Sequence, residues 1–586
     1  MVYTETYLKD KLTKELDAVH VRADPDRFTV TKCALVPGLC LALLVRWCVA
    51  AHPYSGRGAP PMFGDYEAQR HWQEVTVHTP ARHWYRNTTQ NDLQYWGLDY
   101  PPLSAYHSLL LGLAAERLEP ESVRLFASRG YEGEAHKSFM RCSVFLSDLY
   151  FYVSAALCLC LDAERVATRR GPLRRTDVGA ALLLLYPGLV LVDHGHFQYN
   201  CVSLGLFLWA TFFVVAVEND TLATIFFVLA LNYKQMELYH ALPFFVYLLR
   251  KCFLAIAVLC SFFIIWYPLV HTWDDVLQIL RRLFPLQRGV FEDKVANVWC
   301  AANVLVKLRD VYSNEQMVRL CLGCTLVASL PACADLFFRI NRKKFVLCLI
   351  NVSLAFFLFS YQVHEKSILL AAVPVALHLP EDPFVCFWFL LVSTFSMLPL
   401  LLRDGLLVPF LCSTAIYVAF YSIALQLGGR GPGVLGLLSA GAVHEAARVD
   451  SGLGRVALKL LSTLFFLSLQ GMCWLALGAL LVAPPPRYPD LFPLLISAFC
   501  CLHFLLFLAY FTWQQLRLPA AVPEVVDESD GCGAKFAALV VSDKFQGKSL
   551  LQRHRLVNAA LLEELKSIHA FTQRTLTAEQ WRAQRP

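Results

Sequence analysis

The stretch LFPLLISAFCCLHFLLFLAY (Leu491–Tyr510) decides the fold class, because it contains no Asp, Glu, Lys or Arg. A helix that crosses a bilayer needs about 18 or more predominantly apolar residues. Further clear runs of this kind are Cys33–Ala51, Met140–Asp162, Val178–Val192, Phe253–Val270, Phe345–Ser360, Phe384–Leu401 and Leu458–Val482. Ambiguous runs are Cys201–Val217, Leu222–Leu231, Ala241–Leu249 and Leu407–Leu425. We therefore predict a polytopic all-α membrane protein with roughly ten to fourteen spans.

The composition of the chain agrees with this class. Of its 586 residues, 56% are apolar and 17% are charged, and the mean hydropathy is +0.46. Soluble globular chains have about 45–50% apolar and about 25% charged residues, so this composition disfavours an ordinary cytosolic enzyme. The net charge of +6 gives no reason to expect binding to nucleic acid. The 20 Cys lie mostly in apolar runs, where Cys packs as a small hydrophobic residue, so a disulfide-stapled chain is also excluded.

Four clusters of basic residues set the predicted orientation, because Lys and Arg concentrate in cytoplasmic loops. They are Lys9, Lys11, Lys14, Arg22, Arg27 and Lys32; Arg165, Arg169, Arg170, Arg174 and Arg175; Arg250 and Lys251; and Arg339, Arg342, Lys343 and Lys344. One span beyond each cluster lies a polar motif: GDYEAQRHW (Gly64–Trp72), HGHFQYN (His194–Asn200), RGVFEDK (Arg288–Lys294) or HEKS (His364–Ser367). We expect all four motifs to emerge on the non-cytoplasmic side and to form one composite site.

The first non-cytoplasmic loop, His52–Phe139, is long, and loops of this length usually have a function. If the motif GDYEAQRHW is helical, Glu67 reaches Arg70 and His71 at i+3 and i+4, which would hold its carboxylate in place. Asp65 would then be the freer carboxylate, available as a proton acceptor. The alternative is an acidic helix cap with a solvated ion pair.

The same loop contains LQYWGLDYPPLSAYH (Leu93–His107), in which Trp96 and Asp99 lie close together in sequence. Aromatic rings beside carboxylates suit a carbohydrate, because the rings face sugar C–H groups and the carboxylates accept from hydroxyls. The alternative is an interfacial belt of aromatic residues. Asn87 begins the sequon Asn-Thr-Thr, which fits a glycosylated lumenal face, whereas we expect the sequons at Asn219 and Asn351 to be unused.

Ionisable residues at the ends of apolar runs are candidates for function, because their burial in a membrane is costly. His194 and His196 could hold a metal ion, although an HxH pair is weak evidence for zinc. Arg288, His364 and Lys366 could instead bind a phosphate at the membrane surface. The alternative for the motif RGVFEDK is a solvated cluster of ion pairs.

Five motifs in order, GDYEAQRHW, YWGLDYPPLSAYHS, DHGHFQYN, RGVFEDKVANVWC and HEKSIL, resemble one enzyme family. It comprises the glucosyltransferases of the endoplasmic reticulum (ER) that use dolichyl-phosphate-glucose in the lipid-linked oligosaccharide pathway. Within it, Gly64 and Gly97 favour the branch that adds the first glucose over the sibling that adds the second. A polytopic transporter is the alternative from another class.

The resemblance implies a GT-C membrane fold with a large lumenal first loop, both termini in the cytoplasm and a lumenal active site in the ER membrane. It implies an inverting α-1,3 transfer from dolichyl-phosphate-glucose to a lipid-linked oligosaccharide with nine mannoses, with no metal or other cofactor. Such a transfer needs one base, and we expect it to be Asp65. The expected substrate-binding residues are Glu67, Arg70, Trp96, Asp99, His196, Arg288, His364 and Lys366. Among them, Asp99 and Glu67 would position the acceptor or support the loop.

The two ends of the chain differ from this family. FAALVVS (Phe536–Ser542) is a good buried strand, and residues 550–565 have helical spacing. The tail resembles the BolA-like family, and TETYLKDKLTKELDAVHV (Thr4–Val21) resembles the first helix of that family. We therefore divide the chain into a BolA-like opening helix and arm (1–32), a GT-C membrane domain (33–517) and a linker with a BolA-like domain (518–586).

The BolA-like resemblance implies a [2Fe–2S] cluster bridged with a monothiol glutaredoxin. Its expected ligands are His569, in the motif IHAF, and Cys532. A thiolate and an imidazole are suitable ligands for such a cluster. Two alternatives stay open for the join between the families: one genuine fused polypeptide, or two genes that were joined in error.

Overall fold

The structure of the protein is a computed structural model. It describes residues 25–159, 175–249, 254–284, 294–427, 452–518, 525–527, 535–541, 545–561, 565, 570–577 and 580. The opening helix predicted at residues 4–21 and the candidate site residues Arg288, Cys532 and His569 lie outside these ranges.

The chain is predominantly helical. The helices of its first half are α1 (Pro25–Ala50), α2 (Gly64–His78), α3 (Pro102–Leu118), α4 (Glu134–Ser147), α5 (Arg175–Leu184), α6 (Pro187–Val190), α7 (Asn200–Phe212), α8 (Asp220–Tyr233), α9 (Leu238–Leu248), α10 (Leu254–Trp266) and α11 (Trp273–Leu283). Those that follow are α12 (Val298–Leu305), α13 (Leu308–Val311), α14 (Asn314–Phe338), α15 (Arg342–Phe359), α16 (Leu369–His378), α17 (Pro383–Ser396), α18 (Leu398–Arg403), α19 (Leu407–Leu427), α20 (Gly452–Leu481) and α21 (Leu491–Arg517). Segments of π-helix extend α4, α6 and α7 at Asp148–Val153, Leu191–Phe197 and Phe213–Val217. Short 3-10 helices lie at Ala81–His83, Pro120–Val123, Gln235–Glu237 and Glu365–Ile368.

Seven helical segments within the described ranges are long and apolar enough to cross a membrane. They are Glu134–Leu159, Gly179–Phe197, Asn200–Val217, Asn314–Phe338, Leu407–Ala424, Leu461–Leu481 and Leu491–Arg517, and the shorter apolar helices are Val36–Ala50, Asp220–Tyr233, Ala255–Trp266 and Pro383–Ser396. The seven are fewer than the predicted ten to fourteen, which are reached only when shorter helices are included. The span Asn314–Phe338 escaped the sequence analysis, because Arg319 and Asp335 interrupt its apolar run. The predicted class, a polytopic helical membrane protein, is confirmed.

Helix α15 lies at the centre of the membrane bundle. It packs against α9, α14, α16 and α21. Most of its side chains from Phe345 to Leu358 are buried, among them Asn351 and Ser353. A helix that is apolar on every side is expected in the interior of a bundle, and α15 follows this rule.

The first loop folds as a compact unit around α2 and α3, which pack against each other. Its own apolar core includes Trp72, Trp84 and Leu98, and α11 contributes Ile279 and Leu283. Helix α2 begins at Gly64, whose φ of 67° is in the left-handed region. A Cβ at this position would lie 2.7 Å from the backbone carbon of Ser55, so both the conformation and the close approach require glycine. This turn sets the position of Asp65, the next residue.

The C-terminal part is a small α/β segment, as predicted. Strand β1 (Val525–Asp527) pairs antiparallel with β2 (Lys535–Val541), and β2 pairs parallel with β3 (Ala570–Leu576). Helix α22 (Leu550–Ala560) lies between β2 and β3 in sequence, as a parallel pair of strands requires. A capping box formed by Ser549 and Gln552 begins this helix, which ends five residues earlier than the predicted stretch 550–565.

Candidate active site

The carboxylate of Asp65 is the centre of a polar cluster. Its Oδ2 accepts a hydrogen bond from Gln198 Nε2 at 2.5 Å and lies 3.0 Å from His196 Nε2. The ammonium group of Lys366 forms an ion pair with the same oxygen. The side chains of Asp65 and Lys366 keep 24% and 17% of their surface exposed, so the cluster is open to a ligand.

Three of the four polar motifs meet at this cluster, as the topology argument predicts. Asp65 comes from the first turn of α2, and His196 comes from the π-helical segment that extends α6. Gln198 follows that segment directly, and Lys366 lies in the 3-10 helix after α15. From the fourth motif, RGVFEDK, the structure describes Lys294, which pairs with Asp490 at 3.1 Å.

A second cation, Lys234, contacts the cluster through Gln198. It caps the C-terminus of α8, and its Nζ donates to Gln198 Oε1 at 3.0 Å and to Asn200 Oδ1 at 2.5 Å. These bonds orient the Gln198 amide, because an amide whose oxygen accepts from Lys234 must present its nitrogen to Asp65. The hydroxyl of Tyr100 also donates to Gln198 Oε1, at 3.4 Å, which links the motif LDYPP to the cluster.

Burial and the charges in the cluster shift the pKa of Asp65 and the pKa of Lys234. Burial disfavours the ionised form of Asp65, but the adjacent Lys366 and the contact with His196 outweigh it and hold the pKa of this carboxyl well below its ordinary value. Burial, reinforced by the positive charge of Lys366, lowers the pKa of Lys234 to about 8. Asp65 is the freer of the two carboxylates, as predicted, because its side chain is 24% exposed and that of Glu67 is 1% exposed, but it is paired across the bundle with Lys366.

Glu67 and Arg70 form a separate network that is buried inside the first loop. Glu67 makes two bonds with Arg70, both 2.7 Å long, and accepts a third from the hydroxyl of Tyr95 at 2.8 Å. Arg70 also donates to Glu74 at 2.8 Å and to Ser128 Oγ at 2.6 Å. The predicted i+3 pair of Glu67 and Arg70 is thus present, and both side chains are fully buried. The sequence suggested two roles for Glu67, which could position the acceptor or support the loop. This geometry favours the second role.

The neighbouring His71 does not pair with Glu67 as expected. Its Nδ1 lies 3.2 Å from Glu74 Oε2 instead. The expected i+4 pair of Glu67 and His71 does not form, because the Glu67 carboxylate is already bonded to Arg70 and Tyr95.

The other predicted residues occupy several environments. Trp96 is half-buried, and its indole donates to the carbonyl of Met62 at 2.5 Å. Asp99 is half-buried, and its backbone carbonyl accepts from Gln235 Nε2 at 2.9 Å. His364 is exposed beside the cluster residue Lys366, and Asn87 is exposed on the first loop. Their roles stay predictions.

Two members of the cluster were not predicted from the sequence, Lys234 and Asp404. Asp404 Oδ2 lies 2.5 Å from His196 Nδ1, on the far side of the ring from Asp65. Both residues end apolar helices, which is the signal that identified Lys366 and could have identified them. In the described part of the chain, no three His, Cys, Asp or Glu side chains are arranged so as to hold a metal ion. His194 contacts Asp148 at 2.8 Å rather than sharing a ligand with His196.

Two family models match the chain. The one described as the ALG6, ALG8 glycosyltransferase family matches residues 41–510, and the one described as BolA-like protein matches residues 520–580. These matches lie within the two segments that the sequence analysis delimited, 33–517 and 518–586.

Similar curated proteins are known from several animals. The dolichyl pyrophosphate Man9GlcNAc2 alpha-1,3-glucosyltransferase of Gallus gallus is 47% identical over 490 residues, which cover 80% of this chain and 94% of that protein. The Mus musculus protein of the same name is 47% identical over 488 residues, with the same coverage. The Drosophila melanogaster protein, whose name adds "probable", is 45% identical and covers 81% of this chain and 97% of its own length.

Two solved structures, each of a different protein, are similar to parts of the chain. A bol-like protein from Babesia bovis is 49% identical over 11% of this chain and 76% of its own, with a TM-score of 0.11. ArnT from Cupriavidus metallidurans in the apo state is 12% identical over 82% of this chain and 77% of its own, with a TM-score of 0.34.

Proposed function

Because the chain belongs to the ALG6, ALG8 glycosyltransferase family, we propose that it adds the first glucose to the lipid-linked oligosaccharide with nine mannoses. The family match confirms the resemblance that the five motifs predicted, and the chain is a glycosyltransferase. Its proposed donor is dolichyl-phosphate-glucose, and the linkage formed is α-1,3. The names of the curated relatives support the acceptor and the linkage. The proposed setting is the ER membrane, with a GT-C fold, a lumenal site and both termini in the cytoplasm.

The observation that carries this proposal is the convergence of Asp65 and Lys366 in one partly exposed cluster. An inverting glucosyl transfer needs a base for the attacking hydroxyl and a positive charge for the departing phosphate. The ion pair supplies one group of each kind within one contact distance. A transporter would not require a carboxylate and an ammonium group to be paired at the end of a long folded loop.

In the proposed reaction, the 3-hydroxyl oxygen of the terminal mannose attacks the anomeric carbon of glucose. The bond from that carbon to the phosphate oxygen breaks, and its electron pair stays on dolichyl phosphate, which gains one negative charge. The hydroxyl proton passes to the carboxylate of Asp65. Since the described contacts of this carboxylate are made by Oδ2, Oδ1 is the oxygen that we expect to face the hydroxyl.

Donor binding would also prepare the base. A phosphate oxygen that pairs with Lys366 competes for the ammonium group that now holds Asp65. The main attraction that lowers the pKa of Asp65 would then weaken, and its carboxylate would become more basic when the donor is present. Lys234, which donates a hydrogen bond to Gln198, adds a second positive charge to the cluster.

The experiment is glucose transfer by the purified full-length protein. Radiolabelled dolichyl-phosphate-glucose is incubated with lipid-linked oligosaccharide that carries nine mannoses and, in parallel, with the acceptor that already carries one glucose. Transfer to the first acceptor alone is the expected result. Transfer to the second acceptor alone would reassign the protein to the sibling activity. Donor binding without any transfer would favour a transporter.

For the C-terminal segment, we propose that it binds a bridged [2Fe–2S] cluster together with a monothiol glutaredoxin. The match to the BolA-like family over residues 520–580 supports this proposal. Strands β2 and β3 are parallel neighbours with Lys535 opposite Ala570, and Cys532 and His569 precede these two residues closely in sequence. A thiolate and an imidazole suit such a cluster. Co-expression of the full chain with a glutaredoxin should give cluster absorbance that His569→Ala diminishes, and no cluster with the wild type would refute the proposal.

A further inference from the structure

The imidazole of His196 lies between two carboxylates. Its Nδ1 is 2.5 Å from Asp404 Oδ2, and its Nε2 is 3.0 Å from Asp65 Oδ2. The side chains of His196 and Asp404 are 3% and 7% exposed, so water has little access to the contact between them. A carboxylate can only accept, and the hydrogen of the shorter contact therefore belongs to His196 Nδ1.

The backbone around Asp404 is built for this contact. Gly405, with φ of 71°, ends helix α18, and the amides of Gly405 and Leu406 donate to the carbonyls of Leu402 and Leu401 at 3.1 and 2.9 Å. This is a glycine-terminated helix end, which holds the position of Asp404 just before the glycine. The preceding residue, Arg403, forms an ion pair with Glu365 at 3.4 Å.

A second glycine brings the corner close to the histidine. Leu406 packs directly on Gly195, and a Cβ at Gly195 would lie 2.9 Å from Leu406 Cδ1. A side chain at residue 195 would require Leu406, which follows the corner that carries Asp404, to shift.

We propose that Asp404 is a positioning residue for glucosyl transfer that acts through His196. By accepting from Nδ1, it fixes the orientation of the imidazole, so that Nε2 faces Asp65 Oδ2 and not the membrane bundle. His196 and Gln198 together then hold Oδ2, and Oδ1 of Asp65 stays directed toward the acceptor hydroxyl. The proposal rests on the proposed function, because it takes Asp65 as the base.

The charge of Asp404 has a second effect on the ring. Lys366 Nζ lies 3.1 Å from His196 Nε2, and two positive groups at this distance would repel each other if the ring were protonated. Asp404 and Asp65 flank the ring with negative charge and offset that repulsion. The ammonium group and the imidazole can then share Oδ2 of Asp65, which keeps the cluster compact.

The test measures kcat and KM of the full-length enzyme with replacements at Asp404. Asp404→Leu is close in size but cannot accept a hydrogen bond, and kcat should fall by about 100-fold, as for a misplaced reacting group. Asp404→Asn keeps the shape and can still accept from Nδ1 through its amide oxygen, but it removes one of the two negative charges that flank the doubly protonated ring, so kcat should fall by at least about tenfold. The donor KM should change little in both, because Asp404 acts on His196 and not on Lys366, the group expected to bind the donor phosphate. Glu315→Leu, which removes one carboxylate of an exposed ion pair with Arg319 outside the cluster, is the control and should leave kcat unchanged.

A double-mutant cycle separates this role from a structural one. If Asp404 acts through His196, then Asp404→Leu should cause no further loss of kcat in a His196→Ala background. Equal losses in both backgrounds, or wild-type kcat in Asp404→Leu and Asp404→Asn, would overturn the inference. Asp404→Asn keeps the test open if the leucine variant does not fold. Absence of transfer by the wild type would instead refute the proposed function, so the two failures are distinguishable.

Discussion

Asp65 and Lys366 form an ion pair although 301 residues separate them in the sequence. The pair joins the long first loop to the turn that follows the central helix α15. It also couples the two halves of the proposed reaction, because the cation expected to bind the phosphate controls the basicity of the carboxylate expected to take the proton.

Replacing the base should abolish most of the activity. Asp65→Asn keeps the size of the side chain but removes the proton acceptor, so glucose transfer should fall by roughly two to four orders of magnitude. Donor binding should persist, because Lys366, and not Asp65, is the group expected to bind the phosphate. Asp92→Asn, a change of the same type in the same loop, is the control. Turnover near that of the wild type in Asp65→Asn would exclude Asp65 and direct attention to Asp99.

Removing the cation should affect donor binding and chemistry together. Lys366→Met loses one charge-assisted hydrogen bond, worth about 1.5–3 kcal/mol, to the phosphate. The donor KM should rise and kcat should fall, each measured by initial rates at varied donor concentration. Lys366→Arg keeps the charge and should recover part of the donor affinity. An unchanged KM in Lys366→Met would show that another group binds the phosphate.

The network around Arg70 should matter for stability. Arg70→Met removes the Arg side chain that forms ion pairs with the buried carboxylates of Glu67 and Glu74. Removal of one member of a buried ion pair costs about 3–5 kcal/mol. Thermal unfolding in detergent should therefore begin at a clearly lower temperature. Arg124→Met removes an exposed pair with Glu121 and should cost less than about 1 kcal/mol. Equal stability of the two variants would contradict a structural role for Arg70.

The stability of the first loop should decrease as the pH falls. Burial raises the pKa of Glu74, but the hydrogen bond from His71 and the charge of Arg70 outweigh burial and lower it to about 2. Its ionised form therefore stabilises the fold fully above its ordinary pKa, and this contribution is lost as the pH falls toward 2. Unfolding temperatures measured between pH 6 and pH 3, values chosen to bracket the ordinary carboxyl range, should decrease for the wild type. The decrease should be smaller for Glu74→Gln, and an identical decrease would disprove this assignment.

The orientation of the first loop can be tested through its sequon. Asn87 is exposed, and in microsomes it should carry a glycan that glycosidase treatment removes, with a shift in mobility. Asn87→Gln is the control and should show no shift. Asn219 and Asn351 should stay unmodified, and Asn351 is fully buried inside α15. A glycan on Asn219 would reverse the predicted orientation of its loop.

The predictions about local contacts succeeded where the partners are neighbours on one helix. The pair of Glu67 and Arg70 could be read from the spacing, because residues three apart on a helix lie on one face. The same spacing rule gave the wrong partner for His71, which contacts Glu74 on the same helix. It gave no partner for Asp65, because it ignores groups that other helices contribute. Lys234 and Asp404 were missed for that reason.

The sequence by itself determined the membrane class, the families of the two parts and the motifs that supply Asp65, His196 and Lys366. Apolar runs and ordered motifs are properties of the chain that do not depend on how it packs. Only the tertiary structure decided that Lys366 pairs with Asp65, that Lys234 orients Gln198 and that Asp404 holds His196. These contacts join residues from helices far apart in sequence, so they depend on the packing around α15 and on the turns at Gly64 and Gly405.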